Sequence, residues 1–394
     1  MAEELSYVLI TPHSLKKSRT GGIIARLVSR SGLEVVAGRM FAPSSKFIAE
    51  YANHIVTESD PRHRATQELL KSYLQQHFSP SENGTRQRCM LLVLRGEDAA
   101  ARVLEVSGHI VHGRMNGETI RDTYGDYVLE EGGIRYFEPA VFTAPNAESA
   151  KRDLEFFAHY SDSDGGIIQT DTSQKSSDTE RTLVLIKPDN FRFPNARMGH
   201  VIDTFSRAGL QIIALKIHHM SVAQAEKFYG PVLDVLQDVF KEPFGRQARK
   251  HLENELEISL DADFEKTLGE KLGPICGRKH WENIIHFMAG RRPSDCTPEE
   301  KTQPGTEKCA ALIYEGPRAI EKIRSILGST DPSKASPGSI RKEFGQSMMV
   351  NAAHASDSVE NAQREMKIIN IEENNFKTLI LTRFKTTQTL KPTA

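Results

Sequence analysis

The sequence predicts an α+β protein made of two tandem ferredoxin-like (split βαβ) domains, each an antiparallel sheet with helices packed on it. Three observations lead to this prediction. Each half of the chain opens with a short apolar strand, an amphipathic helix and a second strand. The two halves repeat this layout in the same order. The ends of the halves correspond as well. We expect the helices to lie on one face of each sheet.

In the first half, the apolar residues 6–10 predict a strand that the pair Thr11-Pro12 interrupts. A helix is expected over residues 22–31, because its apolar residues fall on one face. Those residues are Ile23, Ile24, Leu27 and Val28. Gly32 is placed to end this helix, and residues 33–37 begin the next strand.

The second half repeats this series. A strand over residues 182–186 precedes the pair Lys187-Pro188, and a helix is expected over 199–208. Gly209 ends it and 210–215 form the next strand. Later segments also match in pairs: Arg-Ser-Gly-Leu at 30–33 with Arg-Ala-Gly-Leu at 207–210, Thr119-Ile120-Arg121 with Ser339-Ile340-Arg341, and 147–152 with 359–364.

The repeat divides the chain into residues 1–160 and 181–394. Residues 161–180 are rich in Ser, Asp, Thr and Gly, which favours a flexible linker. Ile167 and Ile168 are expected to attach it to a neighbouring surface.

The composition argues against some classes of function. The chain has 394 residues, with 51 Lys+Arg against 52 Asp+Glu and a formal net charge of −1. This balance argues against a general nucleic-acid binder, although it is compatible with a local basic pocket. Neither a signal peptide nor a bilayer-spanning apolar segment is visible. The four cysteines form no CxxC pair, which fits a reducing cytoplasm. Cys276, His280, Cys296 and Cys309 are too irregularly spaced to predict zinc.

Candidate functional residues concentrate in residues 338–366. The apolar residues 348–350 predict a buried strand, and Ser356, Asp357 and Ser358 followed by Glu360 predict the start of a helix. His354 is therefore expected in the turn between strand and helix, where backbone N–H groups can face an anion.

Other polar residues accompany this histidine. Arg341 is expected on the same side of the strand, Asn351 precedes His354 by three residues, and Glu365 follows about three helical turns later. A neutral imidazole, an acid to orient it and cations for phosphate are the set that phosphoryl transfer requires.

The segment Asn351-Ala352-Ala353-His354-Ala355-Ser356-Asp357 resembles the Asn-x-x-His-Gly-Ser-Asp signature of the nucleoside diphosphate kinases. Ala355 stands where the family has glycine, and its methyl group could crowd a tight turn. The resemblance covers most of both halves and implies the same fold.

The resemblance also implies roles for individual residues. His354 would accept the phosphoryl group, Glu365 would bond its other ring nitrogen, and Ser356 would support Glu365 or a phosphate oxygen. Nucleotide-binding roles are implied for Lys187 (phosphates and sugar), Tyr229 (near the γ-phosphate), Arg324, Thr330 and Arg341 (phosphates), Asn351 (ribose), and His280 and Ile284 beside Trp281 (base). Mg2+ would bridge the outer phosphates of ATP, the phosphoryl donor, without a metal site of its own on the protein.

Relative to the family pattern, residues 231–279 and 292–306 read as insertions. The first has apolar residues at helical spacing just before a second lid helix at 280–288, and the second is polar and loop-like. Ser221 and Gln224 form a capping box that opens a helix carrying Tyr229. A third strand is expected over 308–314 and a helix over 318–327.

The first half departs from the same pattern. Thr11, Leu104, Pro139 and Phe142 stand at the positions of Lys187, Arg324, Asn351 and His354, while Arg121 is retained. Phenylalanine has no lone pair, so the first half is expected to be a pseudo-kinase.

These expectations define a nucleoside diphosphate kinase acting by a ping-pong mechanism through phospho-His354. Two alternatives stay open: a nucleotide-binding regulatory or scaffold protein with weak activity, and a phosphohistidine kinase acting on proteins. The expected partners are nucleoside di- and triphosphates, without membrane or specific nucleic acid. The expected assembly is a homo-oligomer or an intrachain pseudo-dimer, located in the cytoplasm.

Overall fold

The structure is a computed structural model that describes residues 3–110, 117–130, 133–169 and 178–389. Its first half contains, in chain order, β1 (Glu4–Ile10), α1 (Pro12–Lys16), α2 (Thr20–Ser31), β2 (Glu34–Phe41), α3 (Ser45–Ile55), α4 (Arg64–His77), β3 (Cys89–Gly96), α5 (Ala99–Ser107), α6 (Ile120–Tyr124), β4 (Asp126–Glu130), β5 (Gly133–Glu138), β6 (Val141–Thr143) and α7 (Ala147–Tyr160).

The second half is longer and contains two 3-10 helices, Pro188–Asn190 and Pro293–Asp295. Its other elements are β7 (Thr179–Ile186), α8 (Arg197–Ser206), β8 (Gln211–His218), α9 (Val222–Phe228), α10 (Gly230–Val239), α11 (Lys241–Leu256), α12 (Ala262–Ala289), α13 (Pro298–Thr302), β9 (Cys309–Pro317), α14 (Ala319–Leu327), α15 (Ile340–Phe344), β10 (Ala353–Ala355), α16 (Val359–Ile368) and α17 (Asn375–Thr389).

Each half builds one four-stranded sheet, and the two sheets have the same strand order. The first sheet is ordered β2-β3-β1-β6 and the second β8-β9-β7-β10. The central strands β1 and β7 pair antiparallel with both of their neighbours. This order is that of a ferredoxin-like split βαβ sheet, so the predicted fold class is confirmed. A separate hairpin of β4 and β5 lies in the first half.

Individual backbone conformations also match between the two halves. Ala140 and Ala352, each just before the last strand of its sheet, both have a left-handed conformation, with φ of 61° and 70°. Asp98 and Arg318, which precede α5 and α14, also match, with φ of 51° and 50°. Left-handed residues other than glycine are uncommon, so their recurrence at equivalent points supports a duplication.

The first sheet is covered on both faces. Val8 and Ile10 of β1 pack in a core that includes α2 and α8, whereas Tyr7 and Leu9 pack in a second core with α3, α4, α7 and α17. Successive side chains of a strand point to opposite faces, so each face meets its own helices. The expectation of helices on one face is therefore wrong for this sheet.

The first core joins the two halves. It contains Leu27 of α2 and Phe205 of α8 together with residues of both sheets. The two helices approach so closely that a Cβ atom on Gly199 would lie 2.2 Å from the backbone nitrogen of Ala25. One on Gly21 would lie 2.3 Å from the backbone nitrogen of Asp203. Glycine permits this contact because it has no side chain.

The segment after α7 is fixed where the structure describes it. Ser161 and Asp164 are buried, and the Ile168 amide donates to the Ile213 carbonyl at 2.8 Å. The predicted attachment through Ile168 is confirmed, and the prediction of a flexible linker is wrong for residues 161–168. Residues 170–177 of that predicted linker lie outside the described residues.

The chain divides into two compact units. One consists of Met1–Ile217, Ala310–Met366 and Asn370–Ala394, and the other of His218–Cys309 and Lys367–Ile369. Both sheets belong almost entirely to the first unit. This division follows compactness and not the repeat, so the proposed kinase-like domains 1–160 and 181–394 stay a prediction.

The second unit is helical. Ser221 and Gln224 form the predicted capping box at the start of α9. The helices α10 and α11 pack along α12, where a Cβ atom on Gly277 would lie 2.6 Å from the Gln237 backbone. The predicted loop at 292–306 contains a 3-10 helix and α13, because Thr297 caps that helix through Glu300.

Of the helices in the described ranges, none combines the length and the apolar character that crossing a bilayer requires.

We expect Gly199→Ala to lower the free energy of unfolding by about 1–3 kcal/mol, because its methyl group would overlap the α2 backbone. Gly230→Ala is the matched control, since a Cβ atom there meets nothing within 4 Å. Denaturant unfolding of the full chain measures both. A Gly199→Ala protein as stable as the control would show that the two helices do not pack this closely.

Candidate active site

The candidate histidine lies on a strand. In β10, His354 pairs with Leu185 of β7, between the pairs that Ala353 and Ala355 make. The predicted position in a turn is wrong, as is the predicted strand at 348–350, where Met348 is 62% exposed. Both predictions failed because alanine has little preference for strands, whereas the apolar run Met-Met-Val resembles a buried strand.

The residues just before β10 are fixed to the end of β7. The carbonyl of Ala352 accepts hydrogen bonds from the Lys187 amide at 2.9 Å and from Asn190 Nδ2 at 2.8 Å. Asn190 Nδ2 also donates to the Lys187 carbonyl at 3.0 Å. These bonds hold the segment carrying His354 against the segment carrying Lys187.

A carboxylate fixes the histidine ring. His354 Nε2 lies 2.8 Å from Glu365 Oε2, and Ser356 Oγ donates to the same oxygen at 2.6 Å. Glu365 is buried in the second turn of α16, 11 residues after His354. When Nε2 carries the proton and donates it to Glu365, the ring lone pair is on Nδ1.

Lys187 is at the centre of a second network. Its Nζ donates to Asn351 Oδ1 at 2.9 Å and to the Met349 carbonyl at 2.6 Å. Asn351 Nδ2 donates to the Thr330 carbonyl at 3.0 Å, and Arg341 Nη1 reaches Thr330 Oγ1 at 3.3 Å. Four predicted nucleotide-binding residues are thus connected by hydrogen bonds.

The environment of Lys187 changes its acidity. Burial lowers the pKa of Lys187 to about 8, and the nearby Arg341 charge acts in the same direction against the opposing effect of Asp189. Burial likewise raises the pKa of Asp189. An anion bound beside Lys187 would favour its charged form.

Arg341 lies on α15, and its expected place on the same side of a strand at 348–350 is wrong because those residues form no strand. Its guanidinium donates to the Gly328 carbonyl at 3.1 Å and to the Ala353 carbonyl at 3.3 Å. Arg121 makes the equivalent bonds in the first half, to the carbonyls of Gly108 and Val141. The retained arginine therefore has a structural task in both halves, which explains why Arg121 persists without the other residues.

Arg324 is exposed on α14. A hydrogen bond from Asn361 holds the pKa of the Asp357 carboxyl below its usual value, and the nearby Arg324 guanidinium and His354 ring act in the same direction. Arg324 and His354 therefore act on the same carboxylate, which places Arg324 in the electrostatic surroundings of the histidine.

Three predicted residues belong to the helical unit. Tyr229 lies between α9 and α10, just beyond the helix predicted to carry it, and its carbonyl accepts a hydrogen bond from Trp281 Nε1 at 2.9 Å. His280 is exposed on α12, with its ring centroid 4.6 Å from that of Phe240, and Ile284 is half-buried. Their predicted roles toward a nucleotide stay predictions.

The first half fills the equivalent position with aromatic rings. Phe142 of β6 pairs with Leu9 as His354 pairs with Leu185, and its ring centroid lies 5.5 Å from that of Phe78. Glu138 is buried and accepts hydrogen bonds from Thr11 Oγ1, at 2.9 Å, and from Tyr73. Aromatic packing therefore takes the place of the histidine, and a buried hydrogen-bond network around Glu138 takes the place of the lysine.

The sequence analysis missed several polar residues of the site. Asn190 Nδ2 donates to the Lys187 carbonyl. Arg197 Nη2 lies 3.4 Å from Asp189 Oδ2, and Arg364 Nη2 lies 3.4 Å from Glu365 Oε1. Asn190 and Asp189 follow Lys187 directly at the end of a buried strand, a position where polar residues commonly contribute to sites. Within the described ranges, no group of three His, Cys, Asp or Glu side chains could hold a metal ion.

Comparisons with known proteins identify a family that part of this chain resembles. A sequence model of the family described as "Nucleoside diphosphate kinase" matches residues 180–242 and 300–374. The nucleoside diphosphate kinase of Kosmotoga olearia is 32% identical over 191 residues, which cover 48% of this chain and 87% of that protein. Nucleoside diphosphate kinase 2 of Protochlamydia amoebophila is 30% identical and covers 48% of this chain and 89% of its own length.

Solved structures give the same name. A nucleoside diphosphate kinase from Aquifex aeolicus shares 27% identity over 48% of this chain and 94% of its own, with a TM-score of 0.29. An NDP kinase from Pyrobaculum aerophilum shares 28% over the same fractions, with a TM-score of 0.32. The sequence relatives align with about half of this chain and with most of their own length. The chain therefore belongs to the nucleoside diphosphate kinase family.

Proposed function

We propose that the second half of the chain exchanges γ-phosphoryl groups between nucleotides through phospho-His354. In the first step Nδ1 attacks the γ-phosphorus of a nucleoside triphosphate, the bond from phosphorus to the bridging oxygen breaks, and the diphosphate leaves. In the second step a terminal oxygen of another nucleoside diphosphate takes the phosphoryl group from the histidine. The observation that carries this proposal is the 2.8 Å contact between His354 Nε2 and Glu365.

Glu365 serves both steps. When Nδ1 bonds to phosphorus the ring becomes positively charged, and the adjacent carboxylate stabilises that charge. Ser356 donates to the same carboxylate oxygen at 2.6 Å and so holds Glu365 in place, and rotation of the ring would break its hydrogen bond to this fixed carboxylate. Preorganisation of this kind costs nothing at the moment of reaction.

Phosphate binding is assigned to Lys187, Arg324, Thr330 and Arg341, and ribose binding to Asn351. Lys187 Nζ donates to two neutral acceptors, and a phosphate oxygen would replace the Met349 or the Asn351 contact. Mg2+ would arrive with the nucleotide and neutralise its outer phosphates. Tyr229, His280 and Ile284 are assigned to the γ-phosphate and the base by resemblance alone.

The first half is assigned the role of a pseudo-kinase that supports the second. Phe142 replaces the nucleophile, and the shared core of α2 and α8 gives this half a structural task. We further propose that this pairing within one chain takes the place of a subunit contact, in a homo-oligomer or as a monomeric pseudo-dimer. A cytoplasmic location is proposed from the cysteines, which are all free thiols.

Two other functions remain as competing proposals. A regulatory protein that binds nucleotide with weak turnover would follow if Ala355 or the insertion at 231–279 impaired the chemistry. A phosphohistidine kinase would pass the phosphoryl group to a protein, with the inserted helices as docking surface. A coupled assay with ATP and a second nucleoside diphosphate distinguishes these proposals, because rapid exchange is expected only of the nucleotide kinase.

Labelling tests the nucleophile and the pseudo-kinase together. With γ-labelled ATP, the full chain should gain an acid-labile, base-stable phosphate, and His354→Ala should gain none while still binding nucleotide. The full chain is used because the two halves share a core. Label retained by His354→Ala would place a nucleophile elsewhere, and His200→Ala, at an exposed histidine outside the assigned residues, serves as a control that should keep the label.

The lowered pKa of Lys187 predicts a pH dependence. The charged form of Lys187 is lost as pH rises through about 8, well before the 10.5 of an ordinary lysine. We expect kcat/KM to fall above that pH, while kcat changes little because bound phosphates keep the lysine protonated. A kcat/KM profile from pH 6.5 to 9.5 would measure this effect.

Unfolding does not account for such a fall. Between about pH 8 and 10.5 an unfolded lysine binds more protons than the buried one, so the contribution of Lys187 to the unfolding free energy rises with pH. Unfolding measured at the same pH values is therefore the control. A flat kcat/KM profile would contradict the phosphate-binding role of Lys187.

Ala355 lies in an extended strand and not in a tight turn, so its methyl group should not hinder the site. We expect Ala355→Gly to leave nucleotide exchange within about twofold of the parent and to lower stability by about 0.5–1 kcal/mol through backbone entropy. Coupled assay and denaturant unfolding measure the two effects. A large gain in exchange would favour the regulatory protein with an impaired site.

A further inference from the structure

A cavity of about 300 Å3 lies between the two repeats, within the first compact unit. The first half contributes Lys16 and Arg88 to its lining, and the second half contributes Ser206 and Tyr314. None of its lining residues belongs to the His354 site. A neighbouring cavity of about 360 Å3 shares Lys16 and Arg88 with it. Both volumes fall at the lower end of the range of small-molecule sites.

The charges of this cavity are all positive. Lys16 and Arg88 line it, and no aspartate or glutamate does so among the described residues. Lys16 Nζ donates to the neutral Gln87 Oε1 at 2.8 Å, and Arg88 Nη1 donates to the Ile212 carbonyl at 2.7 Å. Within the described part of the chain, neither cation has a carboxylate oxygen within 4 Å. Two cations without an ion pair at one cavity favour an anionic ligand.

The acid that acts on Arg88 is already paired with another arginine. Glu315 acts on Arg88 from the neighbouring cavity, but its carboxylate is bonded to Arg181 at 2.6 Å. The Arg88 guanidinium is desolvated by burial, which lowers its pKa. Arg88 is half-buried, and a partly desolvated cation that is not neutralised by an acid is stabilised when a ligand supplies the negative charge.

A tyrosine adds an independent observation. Tyr314 is 2% exposed and lines the cavity, and its hydroxyl has no hydrogen-bond partner among the described residues. Buried hydroxyl groups normally have a partner. The cavity wall also includes apolar residues, Leu15, Ile202 and Leu210, which suit a compact body attached to the anion.

We infer that this cavity between the repeats binds a small phosphate monoester, with the phosphate at Lys16 and Arg88 and the body against Tyr314. A guanidinium and an ammonium group together match a phosphate dianion in charge and in number of donors. Because both repeats form the wall, the ligand binds when they are docked, and it stabilises their pairing. This site is separate from the proposed nucleotide exchange at His354.

The test is a calorimetric titration of the full chain with phenyl phosphate. An Arg324→Gln background weakens binding of the probe at the His354 site. One molecule is expected to bind per chain, and Lys16→Gln should weaken binding about tenfold or more through loss of a charge-assisted hydrogen bond. Lys17→Gln is the matched control, because it makes the same charge change at an adjacent exposed residue that does not line the cavity.

Further variants and a second probe test the proposed site. Ser206→Tyr should fill the cavity and abolish binding, and benzoate should bind much more weakly than phenyl phosphate because it carries one negative charge. In the chain with native Arg324, Lys16→Gln should leave nucleotide exchange unchanged.

The proposal is overturned by any of four results: absence of binding, equal effects of Lys16→Gln and Lys17→Gln, retained binding in Ser206→Tyr, or equal binding of benzoate. Thermal unfolding of each variant confirms that it is folded.

Discussion

The pairing of β10 with β7 is the constraint on which the candidate site depends. It is only three residues long, yet it joins His354 to Leu185 across most of the second half of the chain. The same pairing lets the Lys187 amide and the Asn190 side chain hold the Ala352 carbonyl. Lys187 and His354 therefore have fixed positions before any nucleotide arrives, because both are attached to one ladder. A shift of one residue in this register would turn His354 to the opposite face of the sheet.

The first repeat shows that the same ladder does not by itself give a site. Phe142 occupies the position of His354, and the neighbouring space is filled by Tyr73 and Phe78. Asp153 lies on α7 where Glu365 lies on α16, but it is bonded to Tyr7 at 2.8 Å and to His54 at 3.1 Å. The acid has therefore been kept and given new partners in the core. The backbone and its arginine occur in both repeats, whereas Thr11 and Phe142 stand in the first repeat where the second has Lys187 and His354.

Much of this arrangement could be predicted from the sequence. The duplicated β-α-β series predicted the fold class, because the spacing of apolar residues and the glycines that end helices are local signals. The order of Lys187, Asn351, His354 and Glu365 identified the candidate site, and the structure brings these residues into two adjoining networks. The strand of His354 could not be predicted, because alanines carry no strand signal and its stability comes from β7. The coverage of both sheet faces was also missed, because it depends on α17, which is distant in the chain from the sheet it covers.

That distant helix explains why the first repeat persists without the residues for chemistry. Phe376 and Ile380 of α17 are buried in the second core beside Phe41 and Tyr7 of the first repeat. Lys377 pairs with Asp162, and Lys216 of the second repeat bonds the Asn370 carbonyl at 2.8 Å and Glu373 at 2.7 Å, just before α17. The second repeat therefore ends by packing on the first, while α2 and α8 share the other core. Removing the first repeat would expose both surfaces to water, so its selection can rest on stability alone. A repeat with this structural role does not need the histidine, and the cavity between the two repeats can bind a separate ligand.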